Sequence, residues 1–117
     1  MKKDPKVFLV HILECILLIE KYSKKVTAAK FHKDPVLQDA IIRRLEIIGE
    51  AVKNLPAPVK TQYSNIPWKQ MAGMRDVLIH EYFNIDLFLT WKVVKQELPL
   101  IKKQLSAILA DKYTPSK

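Results

Sequence analysis

Apolar residues recur along most of the chain at three- and four-residue spacing, the period of an α-helix with one buried face, and no strand-like alternation stands out. From Lys6 to about Lys25 the stripe is Phe8, Ile12, Cys15, Leu18, Ile19 and Tyr22, with Pro5 positioned for a first helical turn after Asp4. The stretch Val26 to Asp34 is weakly periodic and basic. Asp34-Pro35 then pairs an N-cap with a proline at the first helical position and opens a second helix. Its apolar positions, Val36, Leu37, Ala40, Ile41, Leu45, Ile47, Ile48, Val52 and Leu55, cover a broad face. Gly49 inside it costs about 1 kcal/mol relative to alanine, which implies close packing at that point.

Pro56 to Pro67 carries three prolines with Ser64 and Asn65, and reads as a connection with one short helical turn around Val59 to Tyr63. A third helix begins at Pro67-Trp68 and runs through Met71, Met74 and Leu78 towards His80 or Tyr82. Asn84 next offers a cap for a fourth helix from near Ile85, which holds Leu87, Phe88, Trp91, Val94 and Leu98 and, past Pro99, Leu100, Ile101, Leu105, Ile108 and Leu109. A proline inside a helix removes one hydrogen bond and crowds the preceding turn, so a kink or break is expected near Gln96 to Leu98. Lys112 to Lys117 should fray. The expected fold class is all-α: a bundle of four main helices, the last kinked or broken near Pro99, forming a single domain over residues 1–117.

Composition narrows the functions open to such a bundle. Two glycines in 117 residues make phosphate-cradling loops and all-β folds unlikely candidates, because those backbones need positive φ or close approach to a ligand. Twenty basic against twelve acidic residues give a net charge of +8, a bias towards anionic partners. Seventeen of the twenty are lysines, a diffuse solvated coat, which makes Arg43, Arg44 and Arg75 the more informative cations. Cys15 stands alone in an apolar stretch and supports neither a disulfide nor a cysteine-based zinc site, in keeping with a cytoplasmic location. The longest apolar run, Cys15 to Ile19, is far short of a membrane span, so no membrane partner is expected.

Candidate chemistry gathers in one place. His11, His32 and His80 form no metal-ligand pair at helical spacing, and the carboxylates are spread singly, so neither a metal nor another cofactor is expected. Between Met74 and Asp86, however, Arg75, Asp76, His80, Glu81 and Tyr82 crowd together. An arginine can hold a phosphodiester and neutralise its developing charge, while a histidine can take a proton from a ribose 2′-hydroxyl or give one to the departing 5′-oxygen. At 100° per residue Arg75 and His80 lie about 140° apart on a straight helix, whereas Arg75 and Tyr82 lie about 20° apart. Arg75 and His80 therefore converge only if the helix ends or bends near His80, or if a symmetric dimer joins two copies of the segment. The same residues read equally as surface charges, a capping or core histidine and packing aromatics.

The segment Arg75-Asp-Val-Leu-Ile-His80-Glu-Tyr82 resembles the Arg, four residues, His, any residue, Tyr motif of the HepT-like branch of the HEPN superfamily. Further pieces of the resemblance are His11 to Glu20, Ile42 to Ala51, Ile66-Pro-Trp68 before Met71-Ala-Gly-Met-Arg75, and Leu98-Pro99 after Trp91. The resemblance covers nearly the whole chain and implies a HEPN-type bundle acting as a homodimer, the toxin of a HEPN/MNT toxin-antitoxin pair. It implies a metal-independent endoribonuclease in which Arg75 holds the scissile phosphate, His80 serves in acid-base catalysis and Asp76 supports the site. Tyr82 matches the tyrosine to which the antitoxin, a minimal nucleotidyltransferase, adds AMP to silence the toxin. The RNA substrate would be tRNA or mRNA. The alternatives are a non-catalytic helical module that docks a nucleotidyltransferase, and a nucleotide- or RNA-binding partner of one that does not cut.

Overall fold

A computed structural model of the chain describes residues 4–80 and 85–110, with the side chains of Ile79 and His80 excepted. Among these residues the secondary structure is entirely helical. Helix α1 spans Pro5–Ser23 with the proline in its first turn as expected, and the Asp4 carboxylate caps it by accepting from the Lys6 N–H at 2.9 Å. Lys25 then takes a left-handed conformation, φ 62°, and turns the chain.

The weakly periodic stretch after it contains a short helix, α2 (Ala28–Lys33), where only a basic connection was expected. Thr27 caps it by accepting from the Lys30 N–H, and Phe31 supplies its buried anchor. Asp34 both closes α2, through its N–H to the Phe31 carbonyl, and caps α3 (Pro35–Lys53), through its carboxylate to the Leu37 N–H at 3.1 Å. The backbone amide of Leu37 holds the Asp34 carboxyl below its ordinary range.

Helix α4 (Ala57–Gln62) starts two residues before the expected turn, and α5 (Trp68–His80) begins as Pro67-Trp68 implied. Helix α6 (Leu87–Lys92) is capped by Asp86, whose carboxylate accepts from the Leu89 N–H. The expected cap, Asn84, lies outside the described residues, as do Tyr82 and the expected fraying of residues 112–117.

Pro99 is accommodated without a break in the helix. A π-helical turn, Val93–Glu97, joins α6 to α7 (Leu98–Ala110), and the Leu98 N–H reaches the Val93 carbonyl five residues back. The wider turn gives the proline ring room where a regular turn would clash. It stands about where the kink was expected.

Helix α3 is the centre of the bundle, packed against α1 on one side and α5 on the other. Leu9, Ile12, Ile16 and Ile19 of α1 meet Ile41, Leu45, Ile48 and Val52 of α3 in one core, closed by Leu78 of α5 and Leu98, Ile101 and Leu105 of α7. Full burial of each such side chain contributes roughly 1.5–3 kcal/mol, so this layer holds the helices that carry the polar groups described next. Among the described residues no helix is long and apolar enough to cross a membrane.

Candidate active site around Arg75

Gly49 sets how closely α3 and α5 approach. A Cβ added there would lie 2.1 Å from Arg75 Cβ and 3.0 Å from the Met71 carbonyl oxygen, so no other residue fits without moving α5. The close packing expected from a glycine inside a helix is therefore packing against the root of the Arg75 side chain. One residue on, Glu50 accepts from Arg75 Nη2 at 2.9 Å. The other arm of the guanidinium, Nη1, donates to Asp76 at 3.2 Å, and Lys53 donates to the same Asp76 oxygen.

Arg75 is thus held by two carboxylates, and one of these is itself held by a lysine. The Lys53 hydrogen bond first, and the Arg75 hydrogen bond second, keep the Asp76 carboxyl below its ordinary range. Asp76 stays ionised through neutral pH and remains an acceptor for Arg75. The arginine side chain is 27% exposed, enough to receive an anion from solvent while its fork stays oriented.

The cluster opens onto a groove of about 260 Å³ bounded by α1, α3 and α5. Phe8 and His11 line it from α1, Arg43, Glu46, Glu50 and Asn54 from α3, and Arg75 from α5. Arg43, Glu50 and Asn54 fall in one line along α3, because seven and four further residues return close to the same angle. The groove therefore presents two guanidinium groups, one imidazole and the carboxylates of Glu46 and Glu50 to whatever enters it. Among the described residues, Arg43 makes no ion pair. Arg44 points elsewhere and lies beside Cys15 and Tyr22. Burial pushes the Cys15 thiol up, which keeps it protonated and out of nucleophilic chemistry.

Of the residues singled out in the sequence, Arg75 and Asp76 come together on α5. His80 is the last described residue of that helix, and its side chain lies outside the description, as does all of Tyr82. Glu50, Lys53, His11 and Arg43 were given no role at this site by sequence reasoning. One signal was present: Gly49 marks a close approach to α3, and the residues one and four places beyond it, Glu50 and Lys53, are the ones that grip Arg75 and Asp76. Among the described residues no three histidine, cysteine, aspartate or glutamate side chains form a group able to hold a metal ion.

Comparison with known proteins shows the family of the chain. A family model described as "Ribonuclease HepT-like" matches residues 12–108. A Methanocaldococcus jannaschii protein named "Gamma-glutamylcyclotransferase and putative RNase" is 52% identical over 111 residues, which are 95% of this chain and 50% of that protein. The chain thus spans about half the length of that relative. A "Putative RNase" of Caldanaerobacter subterraneus subsp. tengcongensis is 50% identical over 108 residues, covering 92% of this chain and 96% of its own. A "Probable ribonuclease HepT" of Thermococcus cleftensis is 46% identical over 102 residues, covering 87% and 93%. No solved structure matches the chain at a significant level.

Proposed function

Because the chain belongs to the HepT-like ribonuclease family, we propose that it is a metal-independent endoribonuclease, the toxin of a HEPN/MNT toxin-antitoxin pair. The observation that carries this reading is the Arg75 cluster: a guanidinium anchored by Glu50 and Asp76, open to an anion, five residues before His80 on the same helix.

In this reading Arg75 binds the scissile phosphate and offsets the charge that gathers on its non-bridging oxygens as the 2′-oxygen attacks. His80 removes the 2′-hydroxyl proton. The phosphorus gains a bond to the 2′-oxygen and loses the bond to the 5′-oxygen, which takes up a proton, so the products are a 2′,3′-cyclic phosphate and a 5′-hydroxyl. A single imidazole cannot be base and acid at once, and a homodimer supplies the second group as His80 of the partner subunit. Asp76 acts through Arg75 as a positioning residue. Exposed apolar side chains on α1 and α5, Val7, Leu17 and Val77, are consistent with a further copy covering part of this surface.

Silencing follows from the same electrostatics. AMP added to Tyr82 by a nucleotidyltransferase antitoxin would place an anion seven residues along the chain from Arg75, where it competes for the cation that RNA needs. The test is cleavage of tRNA and of a labelled mRNA by the unmodified protein in EDTA, beside His80→Ala, after intact-mass analysis shows no adduct on Tyr82. Cleavage that survives chelation, disappears in the variant and leaves cyclic-phosphate ends supports the reading. Clean protein that cuts nothing moves the docking-module alternative ahead.

A further inference from the structure

Seven of the chain's lysines lie in two stretches free of carboxylates: Lys21, Lys24, Lys25, Lys30 and Lys33 between Glu20 and Asp34, and Lys92 and Lys95 between Asp86 and Glu97. The fold lays these stretches against each other. Lys95 Nζ donates to the Ser23 carbonyl at 3.1 Å and sits 4.9 Å above the Trp91 ring. Trp91 stacks on Phe31 with ring centroids 4.8 Å apart, and Phe88 packs on His32 at 4.3 Å. All seven lysines are exposed.

Their charge is scarcely compensated. Among the described residues only Lys30 of the seven has a carboxylate partner, Asp34 at 3.5 Å. Of the acids that border the stretches, Glu20 is engaged by Lys102 at 2.9 Å and Asp86 caps α6. Like charges gathered without counter-charges raise the free energy of the compact chain, and an anionic polymer relieves this while releasing its own condensed ions. Beside them stands an apolar ring: Phe88 is 77% exposed, backed on one side by His32. A ring face among point charges matches the alternation of base and phosphate in a single nucleic-acid strand. Lysines in place of arginines suit backbone contact without base reading.

We propose that this end of the molecule is a second RNA contact, which anchors an unpaired stretch of the strand through its phosphates and one base stacked on Phe88. It lies apart from the Arg75 groove. Along α1 the first of these lysines comes ten residues after His11, about 15 Å at 1.5 Å per residue. The anchor therefore holds RNA outside the scissile phosphate and raises affinity for long substrates over short ones. The role as a substrate anchor rests on the ribonuclease reading, but the binding itself can be measured without cleavage.

The experiment is fluorescence anisotropy of a labelled single-stranded oligoribonucleotide with the full chain in EDTA over a range of KCl concentrations. The wild type is compared with the triple variant Lys24→Ser, Lys33→Ser, Lys92→Ser and with Phe88→Ala, each checked for its helical circular dichroism and melting. The triple variant should bind more weakly, with a slope of log K against log salt shallower by about 2, at roughly 0.7 per lost phosphate contact. Phe88→Ala should weaken binding about tenfold and leave the slope unchanged, as expected for one lost stacking partner. In cleavage assays both variants should raise KM on long RNA and keep kcat on a dinucleotide. If the wild type binds as described and cuts nothing, the ribonuclease reading fails and the anchor stands. If the wild type cuts, and folded variants match it in slope and KM, the anchor is overturned and the ribonuclease reading stands. Variants that bind RNA normally but lose a nucleotidyltransferase partner also overturn it, and assign the surface to that protein.

Discussion

The Arg75 groove and the lysine-rich end both carry cations, balanced by carboxylates in the first and left largely uncompensated in the second. At Arg75 every charge among Lys53, Asp76, Arg75 and Glu50 has an opposite neighbour, and Gly49 brings the two helices close enough for these contacts to form. At the lysine-rich end, five of seven cations have no carboxylate, hydrogen-bond or ring partner among the described residues, and the aromatic beside them faces solvent. Compensation fixes geometry at the cost of net field. An uncompensated patch keeps the field and fixes little. A site that must orient one phosphate needs the first arrangement, whereas a surface that must hold any stretch of polyanion is served by the second.

The contrast makes the groove sensitive to single changes of shape. The largest effect is expected from Arg75→Ala and His80→Ala, each lowering kcat by about two to three orders of magnitude with melting little altered, as measured by single-turnover cleavage. Gly49→Ala comes next. Its methyl would meet Arg75 Cβ at 2.1 Å, so α5 must shift. Overpacking of this kind costs about 1–3 kcal/mol and should lower Tm by roughly 5–10 °C in calorimetry, together with loss of cleavage.

Gly73 is the matched control. A Cβ there meets nothing within 4 Å, so Gly73→Ala should raise Tm by a few degrees, in line with about 1 kcal/mol of helix propensity, and leave cleavage intact. Glu50→Gln removes a half-exposed counter-charge. It should lower both KM and kcat by about two- to fivefold, since Arg75 becomes freer to bind an anion and less well aimed.

The smallest effect is expected from pH. The folded pKa of Asp76 is depressed, so its contribution to stability is fully present above the ordinary aspartate value of 3.8 and is lost only as pH falls through the lower folded value. The Tm difference between wild type and Asp76→Asn should be flat from about pH 5 to 8 and shrink only in acid. A difference that changed near neutrality would mean that the cluster is not assembled as described.

The fold was legible wherever a single helix carried its own signal. Asp4-Pro5, Asp34-Pro35 and Pro67-Trp68 mark helix starts by local capping chemistry and the apolar stripes mark the buried faces, and both signals depend only on near neighbours. Helix α2 escaped because six residues are too few to show a period, although Thr27 was there to cap it. The Asp86 cap was missed in favour of Asn84 because both are good caps two residues apart. At the site, Arg75 and Asp76 could be picked out from the cluster of reactive residues between Met74 and Asp86 and from the resemblance to the Arg-x4-His-x-Tyr motif. Their partners Glu50 and Lys53 could not, because they arrive from another helix through tertiary packing. The lysine-rich end was legible only in part: its two stretches without carboxylates are visible along the chain, but only folding brings residues 21–33 beside 92–95.

The π-helical turn at Val93–Glu97 fixes a phase. Because it holds one residue more per turn, everything after it is rotated by about 100° from where a regular helix would place it. Beyond it Leu98, Ile101 and Leu105 are the buried residues of α7. Deleting one residue among the exposed Lys95, Gln96 and Glu97 would restore regular pitch, and it would also turn α7 about its axis relative to α6 and drive the Pro99 ring into the carbonyl behind it. The extra residue thus works as an angular register mark. It obliges the chain to keep its length through this turn, although the exposed Gln96 side chain is free to change.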